Sequence, residues 1–320
     1  MKRILITSSS KTSSVSFLKS FEGIQSYDFF MADRDMYAPG LFLVPKEKRI
    51  ILSTESNEEY INELLSVCKS NKIDLVVPIS SRDLIPLRNH VSDFEKIGCK
   101  VLIASKKTLQ LCEDKLTLIS KAKDIFPEHE FYPYDEHLNI HELKLPMMMK
   151  PRKASDVRLP TKIYAKTQLQ TYKRDGSFFL QEYLPGKEYS VDVYRNQNGV
   201  VVACVPRERL QIKQGMVMTG LTVRHPLLVE TACKIADKID VFGVANMQFR
   251  EDKNNQPVLM EINLRFPPSI ILTVKAGVNI PLLFVQEVLE NKIQNELLPY
   301  QEIAMTRIYE EKFFDPKEIM

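Results

Sequence analysis

Apolar residues fall in short runs bounded by polar turns over the first hundred positions, then alternate with polar residues over much of the remainder. RILITS (3–8) reads as a buried strand, and after the turn SSSKTSS the stretch SSVSFLKSFEG reads as a helix ending at Gly23. SYDFFMAD (26–33) is a second strand. Ser56 with Glu59 three residues on is a capping-box signature, opening a helix to about Lys69. DLVVPIS (74–80) and KVLIAS (100–105) complete the strand–helix alternation of a parallel sheet. The serine-rich turn lacks the glycines of a dinucleotide or P-loop fingerprint, so it reads as a connection in a Rossmann-like sheet, and a dinucleotide oxidoreductase is disfavoured.

Beyond position 105 the pattern changes. SKKTLQLCEDKLTLISKAKDIF is an amphipathic helix or helix pair. PMMMKPRK (146–153) and GSFFLQEYLPGKEYSVDVYRN (176–196) are strands separated by a helix around 166–174. Another strand in GVVVACVPRERLQ leads to an expected loop, IKQGMVMTG, and then to a helix, HPLLVETACKIADKIDVFG, closing near Gly243. The segment VANMQFREDKNNQPVLMEINLRF is a hairpin, and IPLLFVQEVLENKI is a helix. This is an α/β region followed by α+β, with expected bounds of 1–105, 106–305 (divided at 185/186) and a charged tail over 306–320.

The hairpin carries the most specific chemistry. In MEINLRF, Glu261, Asn263 and Arg265 share one strand face, with Ile262, Leu264 and Phe266 on the other. A tip at Asn254-Asn255 pairs Gln248 with Glu261 and Asn246 with Asn263. Amide and carboxylate oxygens suit a hard cation such as Mg²⁺, which takes one or two carboxylates and completes its shell with water and phosphate oxygens. Arg265 beside them suits a phosphate or acyl phosphate. Lys115 and Lys150 are candidate phosphate contacts, Glu182 and Tyr183 candidates for the adenine edge, and Glu188 for ribose hydroxyls. Arg207 and Arg209, two apart on one strand, are candidates for an anionic substrate or the γ-phosphate. His137 and His141 have no third ligand nearby, and Met147–Met149 read as apolar filling.

Composition narrows the class. With 44% hydrophobic and 27% charged residues and a net charge of +3, the chain reads as an ordinary globular protein with no nucleic-acid or membrane partner. Five scattered cysteines without C-x-x-C fit a reducing compartment, and no apolar run approaches the roughly 18 residues of a membrane span, so a cytoplasmic location is expected.

The order CEDKLT, KPR, QEYLPGKEYSVDV, PRERL, GVANMQF, MEINLRF and AGVNIP resembles the ATP-grasp superfamily, in its carbamoyl-phosphate-synthase-like and pyrrolysine-biosynthesis-ligase-like branch, over roughly residues 1–300. The resemblance implies a Rossmann-like pre-ATP-grasp domain followed by a two-subdomain ATP-grasp fold. It also implies ATP with magnesium, or manganese, as cofactors. Gln248, Glu261 and Asn263 match the family's metal ligands and Arg265 its phosphate or intermediate contact. Lys115 and Lys150 match phosphate positions, Glu182, Tyr183 and Leu184 the adenine segment, and Glu188 the ribose contact. The implied activity is ligation of a small carboxylate to an amine or ammonia through an acyl phosphate, with a homodimer as the default assembly. The phosphate-covering loop departs from the family pattern: KPRKASDVRL has Ala154, Asp156 and Leu159 where glycines are expected, and only 10 glycines occur in 320 residues. Lys153 and Arg158 are expected to compensate with side-chain cations. The alternative reading is a degenerate member that binds nucleotide without turnover, as a sensor, scaffold or partner subunit.

Overall fold

The structure is a computed structural model that describes residues 1–52, 56–153 and 158–319. Strand β1 (Lys2–Ile6) feeds helix α1 (Thr12–Lys19), followed by β2 (Tyr27–Asp33), β3 (Arg49–Ile51), helix α2 (Asn57–Ser70), β4 (Leu75–Val77), α3 (Ser81–Leu87), α4 (Val91–Lys96) and β5 (Lys100–Val101). The strands form one parallel sheet in the order β3-β2-β1-β4-β5. Ile4, Leu5 and Ile6 of its central strand are fully buried, as expected where helices cover both faces. The Ser56 hydroxyl accepts from the Glu59 amide at 3.2 Å and the Glu59 carboxylate from the Ser56 amide at 3.1 Å, so the capping box is formed. Strand β3 carries only three residues, too few for a hydrophobic pattern to mark it.

Helices α5 (Lys106–Glu113) and α6 (Lys115–Lys121) are the expected pair. They lead to a four-stranded sheet of β6 (Phe131–Asp135), β7 (Met147–Pro151), β8 (Thr161–Ile163) and β9 (Asp175–Glu182), ordered β6-β9-β7-β8. The helix expected around 166–174 is a shorter 3₁₀ segment, Lys166–Thr171.

A six-stranded sheet follows, built from β10 (Glu188–Arg195), β11 (Val201–Lys213), β12 (Met216–Thr222), helix α7 (Pro226–Lys238), β13 (Gly243–Glu251), β14 (Pro257–Asn263), helices α8 (Ile270–Lys275) and α9 (Ile280–Glu290), and β15 (Ala304–Thr306). Its order is β14-β13-β10-β11-β12-β15. The segment expected as a loop, IKQGMVMTG, is instead a hairpin. Lys213 pairs with Met216, and Gln214 and Gly215 between them have φ of 49° and 77°. Two left-handed residues are what a tight hairpin turn needs, because its twist then matches that of the flanking strands.

The first domain and the six-stranded sheet share a core. Phe17 of α1 meets Phe266 with ring centroids 4.9 Å apart, and the Ser16 hydroxyl donates to the Pro268 carbonyl at 2.6 Å. The Pro267-Pro268 pair thus lies in a segment tied to α1. The closing residues are not a free tail: Phe314 stacks on Phe42 at 4.5 Å and Arg49 pairs with Glu318 at 2.7 Å.

Gly243 joins α7 to the strand carrying Asn246 and Gln248. Its φ is 81°, and a Cβ there would sit 2.4 Å from the Phe284 ring. Gly243→Ala combines left-handed strain with overpacking and is expected to lower unfolding free energy by about 2–4 kcal/mol in denaturant titration. A change below about 0.5 kcal/mol would mean the junction relaxes freely.

Candidate active site

The β13–β14 hairpin pairs Asn246 with Asn263 and Gln248 with Glu261, as the sequence predicts. The route to that register differs from expectation. Nearer the tip, Phe249 faces Leu259 and Glu251 faces Pro257, so the pairing shifts by one residue between Gln248 and Phe249. The connecting loop is Asp252–Gln256, with the Asp252 carboxylate accepting from the Asn254 and Gln256 amides at 2.8 Å each and Asn255 left-handed at φ 59°. A bulge at Met260 compensates for the longer loop.

The polar atoms of β14 are linked. Asn263 Nδ2 donates to Glu261 Oε1 at 3.0 Å, Arg265 donates to Asn263 Oδ1 at 3.3 Å, and Lys115 Nζ lies 3.6 Å from Glu261 Oε2. Gln248, Glu261, Asn263, Arg265 and Arg209 line one cleft of about 510 Å³, which Lys11, Ser80 and Ser81 of the first domain also line. Burial holds the Arg265 guanidinium below its ordinary pKa, against the opposing pull of Glu261. The first-domain residues escaped the sequence reading because nothing in a serine-rich turn marks its tertiary neighbour.

Arg207 and Arg209 have separate fates. Arg207 is 1% exposed and donates to Asp192 at 2.7 Å, and it also bonds Ser269. Asp192, fully buried, accepts in addition from Asn246 at 2.8 Å and Thr273 at 2.6 Å. Arg207 is therefore an internal brace, which corrects its expected role as a substrate contact; the spacing marked an arginine pair but not the buried acid opposite one of them. Arg209 reaches the cleft, held by Ser190 Oγ at 3.1 Å and the Gly215 carbonyl at 2.9 Å, with Glu188 at 3.0 Å in ion-pair rather than hydrogen-bond geometry. Glu188 is accordingly engaged by Arg209, with Arg250 at 3.9 Å.

Lys150 is 4% exposed and donates to Gln181 Oε1 at 2.6 Å. Burial pushes its pKa down to about 8; Glu261 acts against that shift and Lys115 adds to it. The backbones of Lys153 and Asp114 form an isolated antiparallel bridge, and the Lys115 amide donates to the Arg152 carbonyl at 2.9 Å, so the two lysine-bearing segments are tied together. Asp114, held below the ordinary carboxylate range by Arg152 and the Thr117 amide in spite of its burial, organises that junction. The Glu182 amide donates to the Glu130 carbonyl at 3.0 Å and the Tyr183 amide to the Pro146 carbonyl at 3.3 Å, so the strand end does not offer these two groups to an adenine edge. The Glu182 carboxylate bonds His129, a partner the sequence reading missed, Lys162 lies 3.2 Å from the Tyr183 ring centroid, and Leu184 is buried. Of the phosphate-covering loop, Ala154 and Asp156 lie outside the described residues, Leu159 is exposed, and Arg158 sits 3.9 Å from the Phe178 ring centroid.

Among the described residues no three of His, Cys, Asp and Glu converge on a metal position. The donors present are one carboxylate, Glu261, and two amides, Gln248 and Asn263. That set fits a magnesium ion arriving with phosphate oxygens rather than one caged by protein.

Two family models match the chain: "PylC-like, N-terminal domain" over residues 4–102 and "ATP-grasp in the biosynthetic pathway with Ter operon" over 175–311. No curated protein sequence matches it. Among solved structures, N5-carboxyaminoimidazole ribonucleotide synthetase from Thermotoga maritima is 18% identical with a TM-score of 0.72, covering 98% of this chain and 82% of that one. L-amino acid ligase from Bacillus licheniformis is 16% identical with a TM-score of 0.70, covering 95% and 79%. The biotin carboxylase domain of Hydrogenobacter thermophilus 2-oxoglutarate carboxylase, in complex with MgADP, ADP and bicarbonate, is 13% identical with a TM-score of 0.73, covering 92% and 71%. At these identities the likenesses establish the fold.

Two outcomes follow from the buried charges. Arg207→Ala strands the Asp192 carboxylate and is expected to cost about 3–5 kcal/mol in denaturant unfolding, whereas a loss under about 1 kcal/mol would make Arg207 dispensable to the fold. Lys150 binds its proton less tightly folded than unfolded, so its burial penalty is complete below pH 8 and is relieved as pH rises towards the ordinary lysine value of 10.5. Unfolding free energies at the two ends of that window should show the protein gaining on Lys150→Met at the higher pH; a constant difference would contradict the depressed pKa.

Proposed function

We propose, on the match of residues 175–311 to an ATP-grasp model and of residues 4–102 to a PylC-like N-terminal domain, that the chain is an ATP- and magnesium-dependent carboxylate–amine ligase of the ATP-grasp superfamily. The observation that carries this reading is the convergence, in one cleft, of the Gln248–Glu261 and Asn246–Asn263 pairs with Arg265 and Arg209, with Lys115 beside Glu261. The neighbour solved with MgADP and bicarbonate supports it, since nucleotide, magnesium and a small oxyanion share this fold there.

A carboxylate is a poor electrophile because its charge repels nucleophiles and oxide is not a leaving group. In the proposed reaction a carboxylate oxygen bonds the γ-phosphorus as the bond to the β-phosphate oxygen breaks, releasing ADP. An amine nitrogen then bonds the acyl carbon, inorganic phosphate leaves, and the nitrogen loses a proton. Magnesium, when bound, supplies charge neutralisation along the triphosphate.

The chain's own part is positioning and electrostatics. Gln248, Glu261 and Asn263 present the oxygens that hold the metal-bound triphosphate. Lys115, Lys150 and Lys153 counter phosphate charge from the opposite subdomain. Lys150 is suited to this because a phosphate beside it restores the charge that burial disfavours. Arg265 and Arg209 hold the carboxylate and the charge that develops as phosphorus is transferred. No serine or cysteine nucleophile is called for, and the buried position of four of the five cysteines fits that.

ADP release with Mg·ATP and paired panels of small carboxylates and amines tests the reading. At least one pair is expected to raise ADP release well above the ATP-only rate, and Arg265→Ala should cut that turnover by about 10²-fold or more while leaving Mg·ATP affinity within about threefold. Nucleotide binding without stimulated ADP release by any pair would overturn the ligase and leave a nucleotide-binding protein.

A further inference from the structure

The serine-rich turn after β1 is built with more care than a connection requires. Ser8 is left-handed at φ 53°. Its hydroxyl donates to Asp83 at 2.6 Å, the Thr7 hydroxyl donates to the same carboxylate at 2.7 Å, and the Ser80 hydroxyl at 2.9 Å. Tyr60 donates to the other oxygen of Asp83 at 3.2 Å. The Ser10 amide donates to Asp33 at 2.6 Å. Gly40 allows the turn to seat, since a Cβ there would lie 2.5 Å from the Ser9 carbonyl oxygen.

This turn walls a cleft of about 440 Å³ at the carboxyl ends of β1, β2 and β4. The strand order changes direction between β1 and β4, and open α/β sheets bind ligands at such a switch point. Lys11, Arg34 and Arg82 line the cleft, and among the described residues no ion pair joins any of them. Three other cations of the same domain are paired: Lys2 with Asp74 at 2.7 Å, Lys48 with Asp28 at 2.5 Å and Arg49 with Glu318 at 2.7 Å. Arg34 is held over the Tyr60 ring, 5.1 Å from its centroid. Three acids also line the cleft: Asp33 accepts from the Ser10 and Asp35 amides, Asp35 from the Tyr37 amide, and Asp83 from the hydroxyls already named, so among the described residues their partners are amides and hydroxyls rather than the three cations. Lys11 and Ser80 also line the cleft that holds Arg265 and Glu261, so the two spaces adjoin.

We propose that the Lys11–Arg34–Arg82 cleft is a binding site for an oxyanion, carboxylate or phosphate, carried by one of the two molecules that are ligated. The acceptor or donor then bears an anionic group away from its reacting end, gripped by the first domain while the reacting end lies by Arg265. The assignment of the ligand as a ligation substrate rests on the ligase reading; the anion site rests on three cations that line one switch-point cleft and that no carboxylate pairs among the described residues.

Calorimetric titration of the full chain with linear dicarboxylates, with sugar and glycerol phosphates and with inorganic phosphate tests this, with Mg·ATP titrated separately. One series should bind the protein with Kd below about 1 mM, which also tells carboxylate from phosphate. The exposed-side double variant Arg34→Gln/Arg82→Gln should weaken that binding at least about tenfold while its Mg·ATP affinity stays unchanged. Absence of binding by every anion, or equal binding by the variant, would overturn the site. Anion binding that depends on Arg34 and Arg82 in a protein that fails to bind Mg·ATP would uphold the site and remove the ligase reading instead.

Discussion

Asp192 is the point on which the candidate site hangs. A fully buried carboxylate is tolerated only when its charge and lone pairs are met, and here Arg207, Asn246 and Thr273 meet them from β11, β13 and α8. Two of those partners lead to the cleft. Asn246 faces Asn263 across the hairpin, and Arg207 bonds Ser269, which ends the Pro267-Pro268 segment following Arg265. The same segment is held from the other side by the Ser16 hydroxyl of the first domain. A single buried acid thus ties β11 and β13, the latter paired with the strand that carries Glu261 and Asn263, to helix α8.

The charge distribution around this anchor separates scaffold from site. Arg207 and Asp192 within the sheet are paired and buried. At the cleft, Lys115, Arg209 and Arg265 are half-covered and face few acids: Glu261 near Lys115 and Glu188 against Arg209. Lys150 stands between these conditions, buried and, among the described residues, without a carboxylate in contact, and burial pushes its pKa down against the pull of Glu261. A triphosphate entering between the two subdomains would meet that deficit of negative charge.

Much of this was legible in the sequence, for identifiable reasons. Alternation across MEINLRF fixes which side chains share a face, and the Gln248–Glu261 register survived a wrong assumption about the turn because the bulge at Met260 absorbed the extra loop residue. The capping box at Ser56 and the parallel sheet were read from strictly local signals. Tertiary facts were not legible. Spacing could not show that Arg207 faces a buried acid while Arg209 does not. The hairpin at Gln214-Gly215 was taken for a loop because one glycine and an unmarked glutamine both had to be left-handed. The closing segment carries charges enough to look free, yet Phe314 finds Phe42 far away in sequence. The turn SSSKTSS lacks glycine and so lost its claim to a ligand, although Asp83 and Gly40 give it a fixed shape by other means.

The central claim is that the facing strands β13 and β14 jointly hold a magnesium-bound triphosphate. Calorimetry of Mg·ATP binding to the double variant Glu261→Gln/Asn263→Ala tests it most directly, because both substitutions leave the hairpin backbone and the Asp192 anchor in place. The account predicts at least about a tenfold loss of affinity, or 1.4 kcal/mol, together with a loss of magnesium dependence. Unchanged Mg·ATP affinity in that variant would contradict it.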